Sequence, residues 1–482
     1  MAESEHYATA LEDRISTLQK SAYAVGMLVN NLQAAALPAM VIILNLGLGM
    51  DPFLVGIIGF LPRLVDAITD PIMGYISDNT SSRWGRRRPY IFSGAILAGL
   101  VFAAMWQLPA GHSENFYFLV FLTASILYFV AYTVYATPFV AFGFEMTPDY
   151  HERTRLQAFA NTLGQVAWLG VPWFYALMES QLFESKVHGA KVLALWVGGA
   201  IALLGIVPAI FCREKFDTLP KREELGAGEQ QTDGVWDHTK EFLGGIVTTF
   251  RCRPFVKLCA ATFLVFNGFQ LGISFSLYVM IYYVFRGDNN QASILNGWFG
   301  MLTACCTLGV IPLTAWISTR LGKRRTFLIT ISLSLVGYSL KWFGYNPEHP
   351  YWLLASCPFV AFGTGSLFTL MGSMIADVCD YDELETHQRR EGVFGAIYWW
   401  MVKVGMALAG LLTGILLNYS GFDVALTEAQ SDRTLLLLRA FDVGVPLFTS
   451  AIALWVIYTY EITESRAHEI RAVLEQRRGK PK

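Results

Sequence analysis

The chain has 482 residues, of which 54% are hydrophobic and 14% aromatic, while only 15% are charged and the formal net charge is −2. Soluble domains carry about a quarter charged residues, so these proportions exclude a soluble enzyme or a nucleic-acid-binding protein and indicate an all-α polytopic membrane protein. The seven cysteines form no metal-ligand pattern and none falls in an expected outer loop, so neither a structural metal nor a disulfide is expected.

Residues 1–21 are polar and acidic and read as a cytoplasmic N-terminal segment, not a signal peptide. A membrane span needs about 20 mostly apolar residues. Such stretches recur near 22–46, 53–77, 90–109, 116–145, 155–178 and 190–211, giving a first half over 22–212. A polar linker, 213–253, follows, and its second part, VWDHTKEFLGGIVTTF, reads as an interfacial amphipathic helix. Further spans lie near 255–285, 292–317, 326–344, 350–377, 392–417 and 434–460, giving a second half over 254–461, and 462–482 is a tail. Most of the 36 Lys and Arg then fall on one side, against Lys186, Lys191, Arg286, Lys341 and Arg433 on the other. The positive-inside rule places both termini in the cytoplasm of a plasma (inner) membrane protein.

The second span carries LPRLVDAITDPIMG, with Arg63, Asp66 and Asp70 spaced i, i+3, i+7. At 100° per residue they fall within roughly a 60° arc of one helix face. Charge at mid-membrane is costly, so this face meets a partner or water. Two carboxylates on adjacent turns offer hard oxygen ligands to Na⁺ or Li⁺, or hold a proton. The competing reading is a static ion pair in which Arg63 neutralises one aspartate. Pro71 and Gly74 are expected to loosen the helix there.

An internal echo joins the halves. IMGYISDNTSSRWGRRRPYIF links spans 2 and 3, and LTAWISTRLGKRRTFLI links spans 8 and 9. Parallel repeats of this kind occur in carriers built from two six-helix halves. The stretches 66–91, 132–159 and 376–405, with the basic turn 320–325, resemble the glycoside–pentoside–hexuronide:cation symporters, the melibiose permease family of the major facilitator superfamily. The resemblance covers nearly the whole chain. It implies the twelve-helix major facilitator fold and a secondary active symporter that imports a carbohydrate by alternating access, coupled to H⁺ or Na⁺. It also implies that residues matching Asp66, Asp70 and Thr133 bind the coupling cation, with no other cofactor. Where sodium coupling is strong the family commonly has Asn at the position of Thr69. A Thr69 hydroxyl still offers an oxygen, and protons are slightly preferred as the coupling ion.

A sugar site wants aromatic platforms and a few polar groups. Mid-span candidates are Asn30 and Asn31, Gln165 and Trp168, Asn267 and Gln270, Phe368, and Tyr398, Trp399 and Lys403. Lys403 either pairs with Asp66 or Asp70, binds a sugar hydroxyl, or snorkels. The resemblance implies that Lys403 links the aspartates to the opposite half and that Phe368 stacks on sugar, and Arg63 is read with Lys403 as a charge-coupling candidate. Asn31, Ala136 and Asn161 stand where the permease has charged sugar ligands, so α-galactosides are not carried over and a neutral glycoside, disaccharide or pentoside fits better than a uronide, whose carboxylate Lys403 alone could serve. Asp78, Arg83, Arg87, Arg88, Arg155 and Arg324 form a candidate cytoplasmic gate, against a simple role as topology signals. Asp149 is read as a helix cap, Pro148 as a helix stop, and Arg439 with Asp442 as a local i, i+3 pair. A monomer is expected, with a carbohydrate and the bilayer as its partners and no nucleic acid. The alternatives are a major facilitator carrier of lysolipid or drug, and a sugar sensor that does not transport.

Overall fold

A computed structural model describes residues 13–80, 82–109, 111–147, 149–214, 249–386, 390–426 and 430–477. The long helices are α1 (Thr17–Met40), α2 (Pro52–Asp78), α3 (Arg88–Met105), α4 (Glu114–Glu145), α5 (Tyr150–Gly170), α6 (Lys186–Gly205), α7 (Arg253–Tyr278), α8 (Asn289–Leu321), α9 (Lys323–Gly344), α10 (Cys357–Thr386), α11 (Glu391–Ser420), α12 (Asp432–Tyr458) and α13 (Glu464–Arg477). Among the described residues, 11 segments are long and apolar enough to cross a membrane. The twelfth expected span is helical as α5, which runs on through a 3₁₀ turn, Val171–Trp173, and a short helix, Phe174–Met178. It misses the apolar criterion because Arg153, Arg155, Gln157, Asn161 and Gln165 line it. The part of the linker expected to be an interfacial helix, and Pro148, lie outside the described residues.

Side-chain caps start several helices where the backbone N–H groups have no helical acceptor. Ser113, Asp149, Asp288 and Ser431 each accept from the N–H three residues on, so the expected cap at Asp149 is present. Helix α2 is unbroken from Pro52 to Asp78, so Pro71 and Gly74 do not open it. A proline removes one i→i−4 bond, and the rest of the ladder persists in an apolar setting that supplies no competing water.

The described residues fall into two compact units. One draws on Met1–Met40, Ile68–Val171 and His188–Thr239, the other on Val41–Ala67, Pro172–Val187 and Lys240–Lys482. In the first, α1 packs on α5 and α3 on α4. In the second, α7 is the central helix, with 72% of its most apolar window buried. It packs against α12, α11 and α10, and its core holds Phe255, Leu258, Phe327, Met371, Phe394 and Tyr398.

Candidate functional site

The charges of α2 are deeply placed: Asp66 is 0% and Arg63 7% exposed. In the second unit Asp66 meets Lys403 of α11, Oδ2 to Nζ 2.8 Å. The fold delivers this pair through a close antiparallel seam. Gly410 and Gly414 of α11 lie against Pro52, Gly56 and Gly59 of α2, and a methyl on Gly56 would stand 3.0 Å from the Gly410 carbonyl oxygen. A methyl on Gly414 would stand only 2.3 Å from the Pro52 carbonyl oxygen, so glycine is what permits the approach at these two positions. At the far end Asn418 donates to both carboxylate oxygens of Asp51, at 2.9 and 3.1 Å. The seam runs in register from Asp51–Asn418 to Asp66–Lys403. Lys403 is therefore an ion-pair partner, not a snorkelling side chain.

One turn beyond Asp66, in the first unit, α4 supplies hydroxyls to α2. Thr69 and Thr133 share a hydrogen bond at 3.1 Å, and Thr137 donates to Asp70 Oδ1 at 3.1 Å. Thr137 escaped the sequence reading. Its signal was there: Thr133 and Thr137 are spaced i, i+4 and share one face of α4.

The aromatic candidates gather near Lys403. Trp399 lies one turn before it on α11, and its ring stacks on Phe368 of α10, centroids 6.4 Å apart and planes 16° from parallel. Phe266 of α7 backs Phe368 edge-on at 5.9 Å. Phe368 and Trp399 stay 46% and 56% exposed, so their neighbours leave ring surface open. Asn267 is buried and donates to the Gly405 carbonyl at 2.9 Å, which uses one amide hydrogen on a helix contact. In the first unit, Asn31 similarly donates to the Gly164 carbonyl at 3.0 Å, tying α1 to α5. Asn161, Gln165 and Trp168 follow one face of α5 at i, i+4, i+7, with Asn161 and Trp168 exposed.

The two basic turns repeat in detail, each within its own unit. Gly85 and Gly322 both take positive φ, +100° and +77°, a conformation in which glycine is favoured. Glu214, after α6, accepts from the backbone N–H of Arg86 and Arg87 at 2.7 and 2.8 Å. The Glu464 carboxylate, after α12, stands against Gly322. Arg86 and Arg87 pair with Glu145 at the end of α4, and Arg87 with Asp78 at 2.5 Å; Lys323 pairs with Asp377 of α10 at 2.7 Å. Arg88 donates to the Ala209 and Ile210 carbonyls, and Arg324 to those of Ile457 and Tyr458. Asp78 thus takes Arg87. Arg155 pairs with Glu152 at 3.1 Å instead, and Arg83 is exposed. Between α10 and α11, Arg390 grips Asp382 at 2.5 Å, and the hydrogen bonds it donates to Asp382 raise the Arg390 guanidinium above its ordinary range.

Arg439 and Asp442 do not pair with each other. Arg439 donates to the Trp342 carbonyl at 3.1 Å, and Asp442 bonds Lys341 at 2.7 Å. Residues three apart on a helix share a face, but a closer partner on a neighbouring helix wins.

These features are those of a many-span helical membrane protein with a buried charge pair, and comparison with known proteins identifies its class. The family model described as MFS/sugar transport protein matches residues 22–464. The chain belongs to that family of carriers, and it is a multi-pass membrane transporter, not an enzyme. An uncharacterized symporter of Bacillus subtilis is 25% identical over 96% of each chain. The isoprimeverose transporter of Lactiplantibacillus pentosus is 23% identical, covering 89% of this chain and 85% of its own. A putative sulfoquinovose importer of Escherichia coli is 26% identical, covering 90% and 88%. Among solved structures, a bacterial homolog of the lysosomal transporter Spinster superposes with a TM-score of 0.66 at 14% identity, over 92% of this chain and 98% of that one.

Proposed function

We propose that the chain imports a sugar or glycoside together with H⁺ or Na⁺ by alternating access. The observation that carries this reading is the Asp66–Lys403 pair: a wholly buried carboxylate held by a lysine 22% exposed, in a family of sugar carriers. Intramembrane ionisable residues of this kind mark ion pathways. Without a cation, Lys403 neutralises Asp66. A cation taken up at Asp66 and Asp70, with the Thr69 and Thr133 hydroxyls as further oxygens, displaces the ammonium. Lys403 is then available to a sugar hydroxyl beside the open rings of Trp399 and Phe368, whose faces suit sugar C–H groups. Cation and sugar thus raise each other's affinity, as linkage requires. Asn31, Asn161, Gln165 and Trp168 remain candidate substrate groups, and Arg63 is a candidate charge partner on the same helix face. Asp78, Arg83, Arg87, Arg88, Arg155 and Arg324 act as a gate on the cytoplasmic side of a plasma (inner) membrane monomer, with both termini on that side.

The test is melting of the purified protein with isoprimeverose, sulfoquinovose, methyl glucuronide and melibiose, with and without Na⁺, at pH 5.5 and 7.5. A bound ligand raises the melting temperature. A sugar shift enlarged by Na⁺ indicates sodium coupling, and one that follows pH alone indicates protons. If no sugar shifts melting under any condition, the reading is wrong.

A further inference from the structure

A second buried charge pair stands apart from the first. Lys341, near the end of α9, meets Asp442 of α12 at 2.7 Å, with side-chain exposures of 3% and 0%. The Lys341 ammonium also donates to Ser276 Oγ at 2.7 Å and stands 3.5 Å from the Gly272 carbonyl oxygen, both on α7. Its three N–H groups therefore face three acceptors on two helices. Ser276 is 3.1 Å from the same Asp442 oxygen, and the rings of Phe299 and Tyr345 lie 5.4 and 5.8 Å from the ammonium. One turn away on α12, Arg439 lies between the rings of Tyr283 and Trp342, 4.1 and 4.3 Å from their centres. Adjacent residues of α9, Lys341 and Trp342, thus grip one stripe of α12.

The lysine's donors are spent on Asp442, Ser276 and Gly272, and both partners are buried among α7, α9 and α12. Apolar residues of the same volume would stabilise such a site as well or better. What an ion pair adds is direction and register.

The register reaches the transport site through α7. Gly272 brings α7 against α12, so that a methyl there would meet Pro446 Cγ at 3.2 Å. Nine residues before Ser276, and so roughly half a turn round the helix, Asn267 donates to the Gly405 carbonyl of α11 at 2.9 Å. Gly405 is two residues past Lys403. One face of α7 is fixed by the clasp, and the other holds the segment that presents Lys403. Immediately beyond the clasp, Val279–Val284 forms a π-helical turn, whose wider coil closes i→i+5 hydrogen bonds and changes the helix register there.

We propose that Lys341, Asp442 and Ser276 form a permanent ionic clasp that fixes α7 against α9 and α12, and that Lys341 and Asp442 are thereby positioning residues for the Lys403–Asp66 pair. The proposal rests on the reading of that pair as the coupling centre.

The experiment titrates the melting temperature of the full-length protein with NaCl at pH 7.5, and with pH at fixed salt, so no sugar is required. Lys341→Met and Asp442→Leu alone should melt several degrees below the native protein. The double variant Lys341→Met/Asp442→Leu should recover most of that loss. Its midpoint for the coupling ion should still move about tenfold in Na⁺, or one pH unit. Ser276→Ala, which keeps both charges, should move the midpoint about threefold with little change in melting. A double variant with a native midpoint overturns the proposal, because only packing is then at stake. If the double variant does not fold, a native midpoint in Ser276→Ala overturns it equally. A native protein whose melting responds to neither Na⁺ nor pH refutes the coupling reading itself, and the clasp's role in coupling falls with it.

Discussion

Asp66→Asn separates a coupled carrier from a passive one. The Asp66–Lys403 pair is neutral, so taking up one cation adds one positive charge to the centre. Moving one charge through 100 mV supplies about 2.3 kcal/mol. At about 1.36 kcal/mol per factor of ten, that supports a sugar gradient of about 50-fold. Proteoliposomes holding the native protein, under a potassium diffusion potential of about 100 mV, should approach that limit with the sugar that raises melting. Asp66→Asn should equilibrate the sugar and stop near onefold. Accumulation by Asp66→Asn equal to the native would refute the assignment. The two partners should also differ in what their loss costs. Breaking a buried pair from one side costs about 3–5 kcal/mol. Lys403→Met takes the ammonium from a carboxylate that is 0% exposed, whereas Asp66→Asn leaves a lysine that is 22% exposed. Water reaches the second but not the first, so Lys403→Met should melt lower, and the reverse order would contradict the geometry.

Trp399→Ala should weaken sugar binding about 3- to 10-fold, the worth of an offset aromatic contact, with unchanged cation dependence in competition uptake. Thr137→Val should lower cation affinity about tenfold, as expected when a carboxylate loses a hydrogen bond, and Thr137→Ser should restore it. Glu214→Gln removes an anion from the N-terminal turn before α3 and should cost about 1 kcal/mol, read as a small drop in melting temperature. Burial pushes the Cys212 thiol up to about 12, so almost none is thiolate at pH 7 and maleimide should label it only after the protein is unfolded.

The spans, the charged face of α2 and the repeated basic turns were legible because each is written in local pattern: apolar length, helical spacing, and glycine before a basic cluster. Lys403 could be named as a partner for the aspartates because a lone mid-span lysine has few ways to be satisfied. Its contact with Asp66 depends on the glycine seam between α2 and α11, which spacing along either helix does not reveal. The Lys341–Asp442 bond joins residues 101 positions apart. Lys341 read as an outer-side charge because it stands near the end of a span, and Asp442 read as paired with Arg439 because they share a helix face. Asn31 and Asn267 read as sugar groups, and each also donates one amide hydrogen to a carbonyl of a neighbouring helix. A polar residue on an apolar helix has two uses, binding a ligand and binding another helix, and sequence does not separate them.

The two lysine–aspartate pairs of the second unit show how that ambiguity is resolved physically. Both join carboxylates that are 0% exposed, at 2.8 and 2.7 Å, so neither distance nor acid burial tells them apart. The lysines do. Lys403 keeps 22% of its side chain open, against 3% for Lys341. A pair can exchange partners only if the released ammonium has somewhere to go, and water or a sugar hydroxyl beside Lys403 lowers that cost. Lys341 has its donors committed to α7 and α12 and no such exit, so separating it would leave two naked charges in a low-dielectric interior. On the proposed mechanism, the first pair opens once per transport cycle and the second stays shut. Swapping the environments tests this directly: if Lys341→Met/Asp442→Leu, and not Lys403→Met, abolished accumulation while preserving melting, the roles assigned to the two pairs would have to be reversed.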